Sequence, residues 1–139
     1  MSSSSKTIFV TGVAGFLGSH LSEKLVDLGH KIIGVDNMLG GYEDNVPKNI
    51  EFHKADCCDY EKIKILMKNV DVVYHCAATA HEGLSVFSPY EITKNNYLAS
   101  VSIFSAAVNE RVKRIIFCSS MARYGGQSTP FTEHMKPAP

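Results

Sequence analysis

A chain of 139 residues is long enough for one domain with its own hydrophobic core and too short for two of ordinary size. Its fourteen basic residues balance fourteen acidic ones, which argues against general attraction to nucleic acid or to an anionic membrane surface. No apolar run reaches the ~20 residues that span a bilayer, and residues 1–6 lack the apolar core of a secretory signal, so we expect them to form a disordered tail.

The chain has four cysteines, and no two of them form a Cys-x-x-Cys pair. Three of them abut or lie in apolar runs, where free cysteine behaves as a small hydrophobic residue. This usage favours a reducing, cytoplasmic setting. The histidines near these cysteines lack metal-ligand spacing, so we expect no metal site.

Apolar runs of strand length alternate with segments of helical period, which is the pattern of a parallel α/β sheet. The predicted elements, in chain order, are a strand at 7–12, a helix at 15–28, a strand at 31–36, a long loop at 37–49, a strand at 50–56, a short helix at 60–69, a strand at 70–78, a long helix at 91–109 and a strand at 114–120. We therefore expect one α/β domain over residues 7–139, with five strands and helices on both faces.

Four leucines give the first predicted helix its apolar stripe. Leu17, Leu21, Leu25 and Leu28 recur at intervals of four, four and three, which is helical spacing, and the following Gly29 is a typical helix stop. We expect these leucines to face the core.

Three glycines follow the first strand directly and continue into the first helix. In this context Gly12, Gly15 and Gly18 allow a tight turn, a close approach of backbone to a pyrophosphate and close packing of helix on strand. The N-terminus of the helix then offers free N–H groups to the anion. The alternative is a glycine-rich turn that binds nothing.

An aspartate closes the second strand eighteen residues after the last of these glycines. A dinucleotide site has a carboxylate about 20 residues on, where it binds the hydroxyls of the adenosine ribose. A carboxylate at Asp36 repels a 2′-phosphate, and neither Asn37 nor Met38 supplies the arginine that NADP binding favours. The sequence therefore predicts NAD as the cofactor.

The glycine spacing and several later motifs resemble the extended short-chain dehydrogenase/reductase family, in particular its NAD-dependent nucleotide-sugar epimerases and dehydratases of the UDP-glucose 4-epimerase type. The matching motifs are "TGVAGFLG", "VDN", "KADCCD", "HCAATA", "NNYLAS" and "SSMARYG". The resemblance covers residues 7–139 of this chain and only the N-terminal part of the family's proteins. It implies a Rossmann-type doubly wound parallel sheet of about five strands, in the order 3-2-1-4-5, truncated after the fifth strand.

The resemblance also implies which residues contact the cofactor. By this resemblance, Phe16 and Leu17 contact the pyrophosphate of the cofactor, and Asp36 and Asn37 contact its adenosine ribose. Asp56 and Cys57 line the adenine pocket, the cofactor backbone passes close to Cys76, Ala77 and Ala78, and Asn95 makes a further contact. The neighbouring Asn96 is expected to hold local backbone instead.

Ser120 matches the family's catalytic serine or threonine, which hydrogen-bonds the reacting sugar hydroxyl, whereas Tyr124 matches a structural or substrate-lining position. The family's acid/base is a tyrosine in a Tyr-x-x-x-Lys motif that follows the serine. The two such strings in this chain, at residues 60–64 and 90–94, both precede Ser120, so we expect neither to be catalytic. The resemblance thus implies an NAD-binding domain that lacks the acid/base pair and the substrate domain and is inactive alone.

Met121 and Ala122 follow the serine, and neither side chain transfers protons, which disfavours a 4,6-dehydratase. We expect a parent UDP-sugar 4-epimerase that transfers hydride reversibly at C4. A decarboxylase or reductase of nucleotide sugars remains open, as does a non-catalytic nucleotide-binding or interaction module. Expected partners are a nucleotide sugar and a second copy of the chain, through the long helix or the edge of the sheet, and neither nucleic acid nor membrane.

Overall fold

The computed structural model describes residues 5–81 and 83–139. Its strands are β1 (Thr7–Thr11), β2 (Lys31–Asp36), β3 (Glu51–Lys54), β4 (Val72–His75) and β5 (Arg114–Phe117). Its helices are α1 (Phe16–Asp27), α2 (Tyr60–Leu66), α3 (Leu84–Phe87), α4 (Pro89–Ile92) and α5 (Ala99–Asn109). A π-helical turn, Thr93–Leu98, joins α4 to α5, and short 3₁₀ turns occupy Glu43–Asn45 and Met121–Tyr124.

The five strands form one parallel sheet in the order β3-β2-β1-β4-β5, which confirms the predicted topology. Successive residues of β1 point to opposite faces of the sheet. Ile8 and Val10 pack with Leu25 of α1 in one apolar cluster, whereas Phe9 packs with Ile63 of α2 and Ile103 of α5 in another. The sheet is therefore covered by helices on both faces, as a parallel sheet requires.

The predicted leucine stripe of α1 is confirmed at Leu21 and Leu25, which pack in one apolar cluster, and wrong at Leu17 and Leu28. Leu17 and Leu28 are exposed, and the buried positions are Gly18, Ser19, Ser22 and Leu25. Small residues face the sheet because the start of α1 lies almost against the turn after β1, which leaves no room for leucine there. A periodicity of leucines carries no information about such close approach.

Strands β4 and β5 end earlier than predicted, at His75 and Phe117. In β4 the reason is a side chain: the backbone N–H groups of Cys76 and Ala77 both donate to Oγ1 of Thr11, at 3.1 and 3.0 Å. The chain therefore leaves the sheet at Cys76, and the residues predicted as the end of a strand form a loop above it.

Of the predicted N-terminal tail, residues 1–4 lie outside the described residues. Ser5 donates a side-chain hydrogen bond to the carbonyl of Gly29 (2.7 Å), and the carbonyl of Lys6 accepts from Lys31 N–H (2.9 Å). These bonds place Ser5 and Lys6 against the domain. Among the described helices, none has both the length and the apolar character needed to cross a membrane.

Candidate functional site

A groove of about 260 Å³ lies at the carboxyl ends of the strands, where open α/β sheets bind ligands. It brings together the predicted cofactor residues except Phe16, Leu17 and Gly18, and its lining includes Gly12, Gly15, Asp36, Asn37, Asp56, Cys57, Cys76, Ala77, Ala78 and Asn95. Leu39, Gly40, Gly41, Thr79, Ala80, His81 and Ala99 also line it and were not predicted. In the sequence, the adjacent glycines Gly40 and Gly41 could have indicated that the loop after β2 approaches the groove closely.

The glycine turn at the head of the groove leaves no space for side chains at two positions. Gly12 has φ +70°, and a Cβ there would lie 2.8 Å from the backbone nitrogen of Ala77. A Cβ on Gly18 would lie 2.1 Å from the carbonyl oxygen of Gly12. The turn thus brings α1 against β1, and the N-terminus of α1 reaches the groove without a side-chain cap. The first N–H groups of this helix, including those of Phe16 and Leu17, are available to an anion.

Asp36 lies at the end of β2 with its carboxylate almost fully buried and in the groove lining. Its Oδ2 accepts from Ala14 N–H (3.0 Å) and its Oδ1 from Met38 N–H (2.8 Å). A carboxylate has about four acceptor positions, so further positions remain for ribose hydroxyls. The two backbone bonds fix the orientation of the carboxylate before any ligand arrives.

The loop after β2 folds back over the glycine turn. Tyr42 N–H and the side-chain amide of Asn45 both donate to the carbonyl of Ala14, each at 3.1 Å. A Cβ on Gly41 would lie 2.6 Å from that of Ala14, so the contact is close. The loop thereby forms one wall of the groove beside Asp36.

Asp56 and Cys57 line the groove at the end of β3. The carboxylate of Asp56 accepts from Cys58 N–H (2.8 Å) and lies 3.8 Å from Nζ of Lys94. Burial, followed by the charge of Asp56, raises the pKa of the Cys57 thiol to about 12. This corner therefore offers a positioned carboxylate and a neutral thiol.

A buried chain of hydrogen bonds supports the floor of the groove, and it was missed by the sequence analysis. The hydroxyl of Thr11 accepts from Cys76 N–H and Ala77 N–H, so its own hydrogen points to Nδ1 of His75 at 2.7 Å. The Ser100 hydroxyl donates to the carbonyl of Asn96 (2.6 Å) and accepts from Nε2 of His75 (2.9 Å).

These bonds select the neutral His75 tautomer that carries its proton on Nε2. A proton on Nδ1 would face the hydrogen of the Thr11 hydroxyl. Burial lowers the pKa of His75 to about 4, which also favours the neutral imidazole. The imidazole therefore acts as a neutral support for the loop that starts at Cys76.

The π turn aims two neighbouring asparagines in different directions. Asn95 lines the groove, whereas Asn96 accepts from Thr79 N–H (2.7 Å) and donates to the carbonyl of Thr79 (3.2 Å). Turns of this kind are frequent at functional sites because the extra residue redirects side chains. The expected backbone contact of Asn96 is therefore present, and the cofactor contact of Asn95 stays a prediction.

Ser120 is not among the groove-lining residues. It is exposed and begins the turn Met121–Tyr124, where its Oγ accepts from Ala122 N–H at 3.1 Å. Tyr124 stacks on Phe131, with ring centroids 5.0 Å apart. The predicted catalytic hydroxyl is thus available to solvent, in the loop that follows β5, the strand next to β4.

In each Tyr-x-x-x-Lys string, one side chain has a partner other than Ser120. The Tyr60 hydroxyl bonds to the side-chain amide of Asn109 at the end of α5. Tyr90 is exposed at the start of the long helix, and Lys94 pairs with Asp56. Among residues 5–81 and 83–139, no cluster of three or more histidine, cysteine or acidic side chains is arranged to hold a metal ion.

Comparison with known proteins identifies relatives of this architecture. The model of the NAD dependent epimerase/dehydratase family matches residues 8–139. The UDP-N-acetyl-alpha-D-glucosaminuronate decarboxylase of Bacillus cytotoxicus is 34% identical over 131 residues, covering 92% of this chain and 40% of the relative. Among solved structures, the UDP-glucose 4-epimerase of Thermotoga maritima with UDP-glucose is 33% identical with a TM-score of 0.89, covering 96% of this chain and 45% of the other.

A second solved structure, the UDP-glucose 4-epimerase of Brucella ovis in complex with NAD, is 31% identical with a TM-score of 0.89. The match covers 97% of this chain and 42% of that one. The chain therefore spans less than half the length of each of these three proteins.

Proposed function

The chain belongs to the NAD dependent epimerase/dehydratase family, whose cofactor is NAD, and from this premise we propose that it is the NAD-binding portion of a nucleotide-sugar 4-epimerase. Residues 7–139 form its cofactor domain. The observation that carries the proposal is the buried carboxylate of Asp36, oriented by two backbone N–H groups at the edge of a groove lined by glycine and alanine.

The groove residues fit a dinucleotide. Glycine at positions 12 and 18 provides the close backbone approach that a pyrophosphate needs, and the first turn of α1 supplies N–H groups. Asp36 accepts the hydroxyls of the adenosine ribose, with Asn37 beside it. Asp56 and Cys57 hold the adenine, and the backbone at Cys76, Ala77 and Ala78 passes beneath the remainder of the cofactor.

NAD, held by the groove residues, would supply reversible hydride transfer at C4 of the sugar. In our proposal Ser120 hydrogen-bonds the reacting hydroxyl of the nucleotide sugar. Tyr60 is bonded to Asn109 and Lys94 is paired with Asp56, which supports our proposal that neither Tyr-x-x-x-Lys string supplies the acid/base and that the chain on its own binds NAD without turnover. Met121 and Ala122 supply no acid or base for elimination of water, which favours epimerisation over 4,6-dehydration.

A second reaction type is favoured by one comparison. A decarboxylase of nucleotide sugars is 34% identical to this chain. A nucleotide-sugar decarboxylase is therefore our alternative, and a non-catalytic nucleotide-binding module is the alternative from another class.

We also propose that the protein self-associates through its long helix. Tyr97, Val101 and Val108 are apolar and largely exposed there, whereas Phe104 packs inward against the rings of His75 and Phe117. Exposed apolar side chains at helical spacing are typical of protein–protein contacts. The balanced charge of the chain gives no support to nucleic acid or membrane as a partner.

Replacing Asp36 by alanine tests the cofactor assignment. Each hydrogen bond to the carboxylate contributes about 1.5–3 kcal/mol, so loss of two ribose contacts lowers the affinity for NAD by about 100-fold or more. Isothermal titration of the chain with NAD and with NADP measures this, and we expect wild type to prefer NAD. Asp36→Asn keeps one side-chain oxygen and is expected to lie between the two.

The matched control is Asp27→Ala, an exposed carboxylate at the end of α1. It should bind NAD as wild type does. Unchanged affinity in a folded Asp36→Ala variant would contradict the assignment of Asp36, and no saturation of the wild-type chain at millimolar NAD would contradict the proposed function.

A chimera tests the reaction. The part of the Thermotoga maritima 4-epimerase that matches this chain is replaced by residues 5–139, and conversion of UDP-glucose to UDP-galactose is followed by NMR. We expect turnover, and Ser120→Ala in the chimera should lower kcat by about 100-fold because it removes a polar contact to the reacting hydroxyl. Ser119→Ala, on the neighbouring exposed serine, should leave kcat near the parent chimera.

A folded chimera that binds NAD without turning over the sugar would contradict the 4-epimerase assignment. Equal kcat values for the Ser120 and Ser119 variants would contradict the role of Ser120.

A further inference from the structure

Two free cysteines lie next to each other where β4 and β5 leave the sheet. The register of these strands pairs His75 with Phe117, so Cys76 and Cys118 are the next opposite pair. Cys118 N–H donates to the carbonyl of His75 (3.3 Å), which continues the ladder by one hydrogen bond. The two sulfur atoms are 3.7 Å apart.

The backbone at this position suits a disulfide. Adjacent strands are ~4.8 Å apart, which lies inside the range of about 4.4–6.8 Å between Cα atoms of bonded cysteines. The side chains already point toward each other, because the sulfurs are in contact. We propose that Cys76 and Cys118 form a reversible disulfide with a low-molecular-weight disulfide as oxidant, and that this bond switches off cofactor binding.

The oxidation is balanced as a double exchange. The thiolate of Cys118 attacks one sulfur of the oxidant RSSR, the S–S bond of the oxidant breaks, and RS⁻ leaves and takes up a proton. The thiolate of Cys76 then attacks the Cys118 sulfur of the mixed disulfide and releases the second RS⁻. The two protein thiols lose two protons and two electrons, and RSSR becomes two RSH.

The different exposure of the two thiols determines which of them reacts first. Cys118 is exposed and meets the oxidant first, whereas Cys76 is partly buried in the groove wall. Burial, followed by the neighbouring Cys118, raises the pKa of Cys76 to about 12. The thiolate of Cys76 is therefore scarce at neutral pH, and the second step should become faster as the pH rises toward that value.

The disulfide affects the groove because one of its sulfurs belongs to a groove-lining residue. Cys76 and Ala77 are held by their N–H groups on the Thr11 hydroxyl, so their backbone forms a supported floor. Drawing the Cys76 sulfur from 3.7 Å to the bonded distance displaces its side chain toward β5. By linkage, bound NAD and the disulfide should oppose each other. This last part rests on the proposed function, whereas formation of the bond does not.

The test incubates the full chain with oxidised glutathione at pH 7 and pH 9. The product should lose the mass of two hydrogen atoms, and tryptic mapping should find residues 69–94 linked to residues 115–123, faster at pH 9. Cys76→Ser and Cys118→Ser should each abolish the link, and Cys58→Ser, which removes a half-buried thiol elsewhere, should retain it. Dithiothreitol should reverse it.

Titration with NAD then compares the reduced and oxidised forms. We expect at least a tenfold weaker affinity for the oxidised chain, restored by dithiothreitol, and slower cross-linking in the presence of saturating NAD. Failure to find the linked peptides, or finding the same loss of mass in Cys76→Ser, would overturn the disulfide. A linked protein with unchanged NAD affinity would overturn the switch, whereas a reduced protein that binds no NAD would instead overturn the proposed function.

Discussion

Alanine at position 18 is expected to lower the free energy of unfolding by about 3 kcal/mol, the upper part of the range for overpacked sites. The new Cβ would lie 2.1 Å from the carbonyl oxygen of Gly12 and 2.7 Å from its carbonyl carbon. Both are backbone atoms that cannot rotate away. Alanine gains about 1 kcal/mol of helix propensity over glycine, but displacing α1 from β1 costs more, so the net effect is a loss. Chemical denaturation at pH 7 measures it.

Gly126→Ala is the matched control. Its Cβ would meet no atom within 4 Å, so we expect a change of less than about 0.5 kcal/mol. The Gly18 variant should also lose NAD binding, because the turn and the start of α1 form the head of the groove. A Gly18→Ala protein as stable as the Gly126 variant would show that α1 does not lie as close to the turn as described.

The stability of the domain should fall in mild acid because of His75. Burial lowers the pKa of this histidine from its ordinary 6.5 to about 4 in the folded chain. Between these two pH values the unfolded chain binds a proton that the folded chain does not. The contribution of neutral His75 to the free energy of unfolding is therefore fully present above pH 6.5 and is lost as the pH falls to about 4. The full loss is about 3 kcal/mol.

Denaturation at several pH values, compared between wild type and His75→Asn, isolates this contribution. The variant is less stable at pH 7 because the Thr11 and Ser100 hydroxyls lose their partner, and its stability should decline less between pH 6.5 and pH 4. His20→Asn, at an exposed position, should retain the wild-type profile. Parallel profiles for wild type and His75→Asn would contradict the buried neutral imidazole.

The predictable part of the site rests on short-range spacing. The three glycines and Asp36 are separated by fixed numbers of residues within one βαβ unit, and this spacing predicted the NAD cofactor, which is confirmed. The strand order was implied by the family resemblance and is also confirmed. The individual contacts to NAD stay predictions. The structure adds that Asp36 is oriented by Ala14 and Met38.

The hydrogen-bond chain was not predictable in the same way. Thr11 and His75 are sixty-four residues apart along the chain and become neighbours only because β4 pairs with β1. Nothing in the residues around Thr11 or around His75 indicates that these two side chains form a hydrogen bond. The prediction that Leu17 faces the core was wrong for a related reason, since the space available at the start of α1, beside Gly18, depends on the position of Gly12.

The π turn Thr93–Leu98 changes the directions in which α4 and α5 present their side chains, relative to one continuous α-helix. Ile92 and Ala99, on either side of the turn, are seven residues apart, which in a regular α-helix would put them on one face. One extra residue in Thr93–Leu98 offsets such a pair by roughly 100°.

The length of this segment consequently carries information that its residue types do not. Deleting a single residue from the turn would restore the regular helix and rotate either α4 or α5 with respect to the sheet. Asn95 and Asn96 could then no longer serve the groove and Thr79 at the same time. Changes of chain length here should be far less tolerated than substitutions at the exposed positions of the same turn.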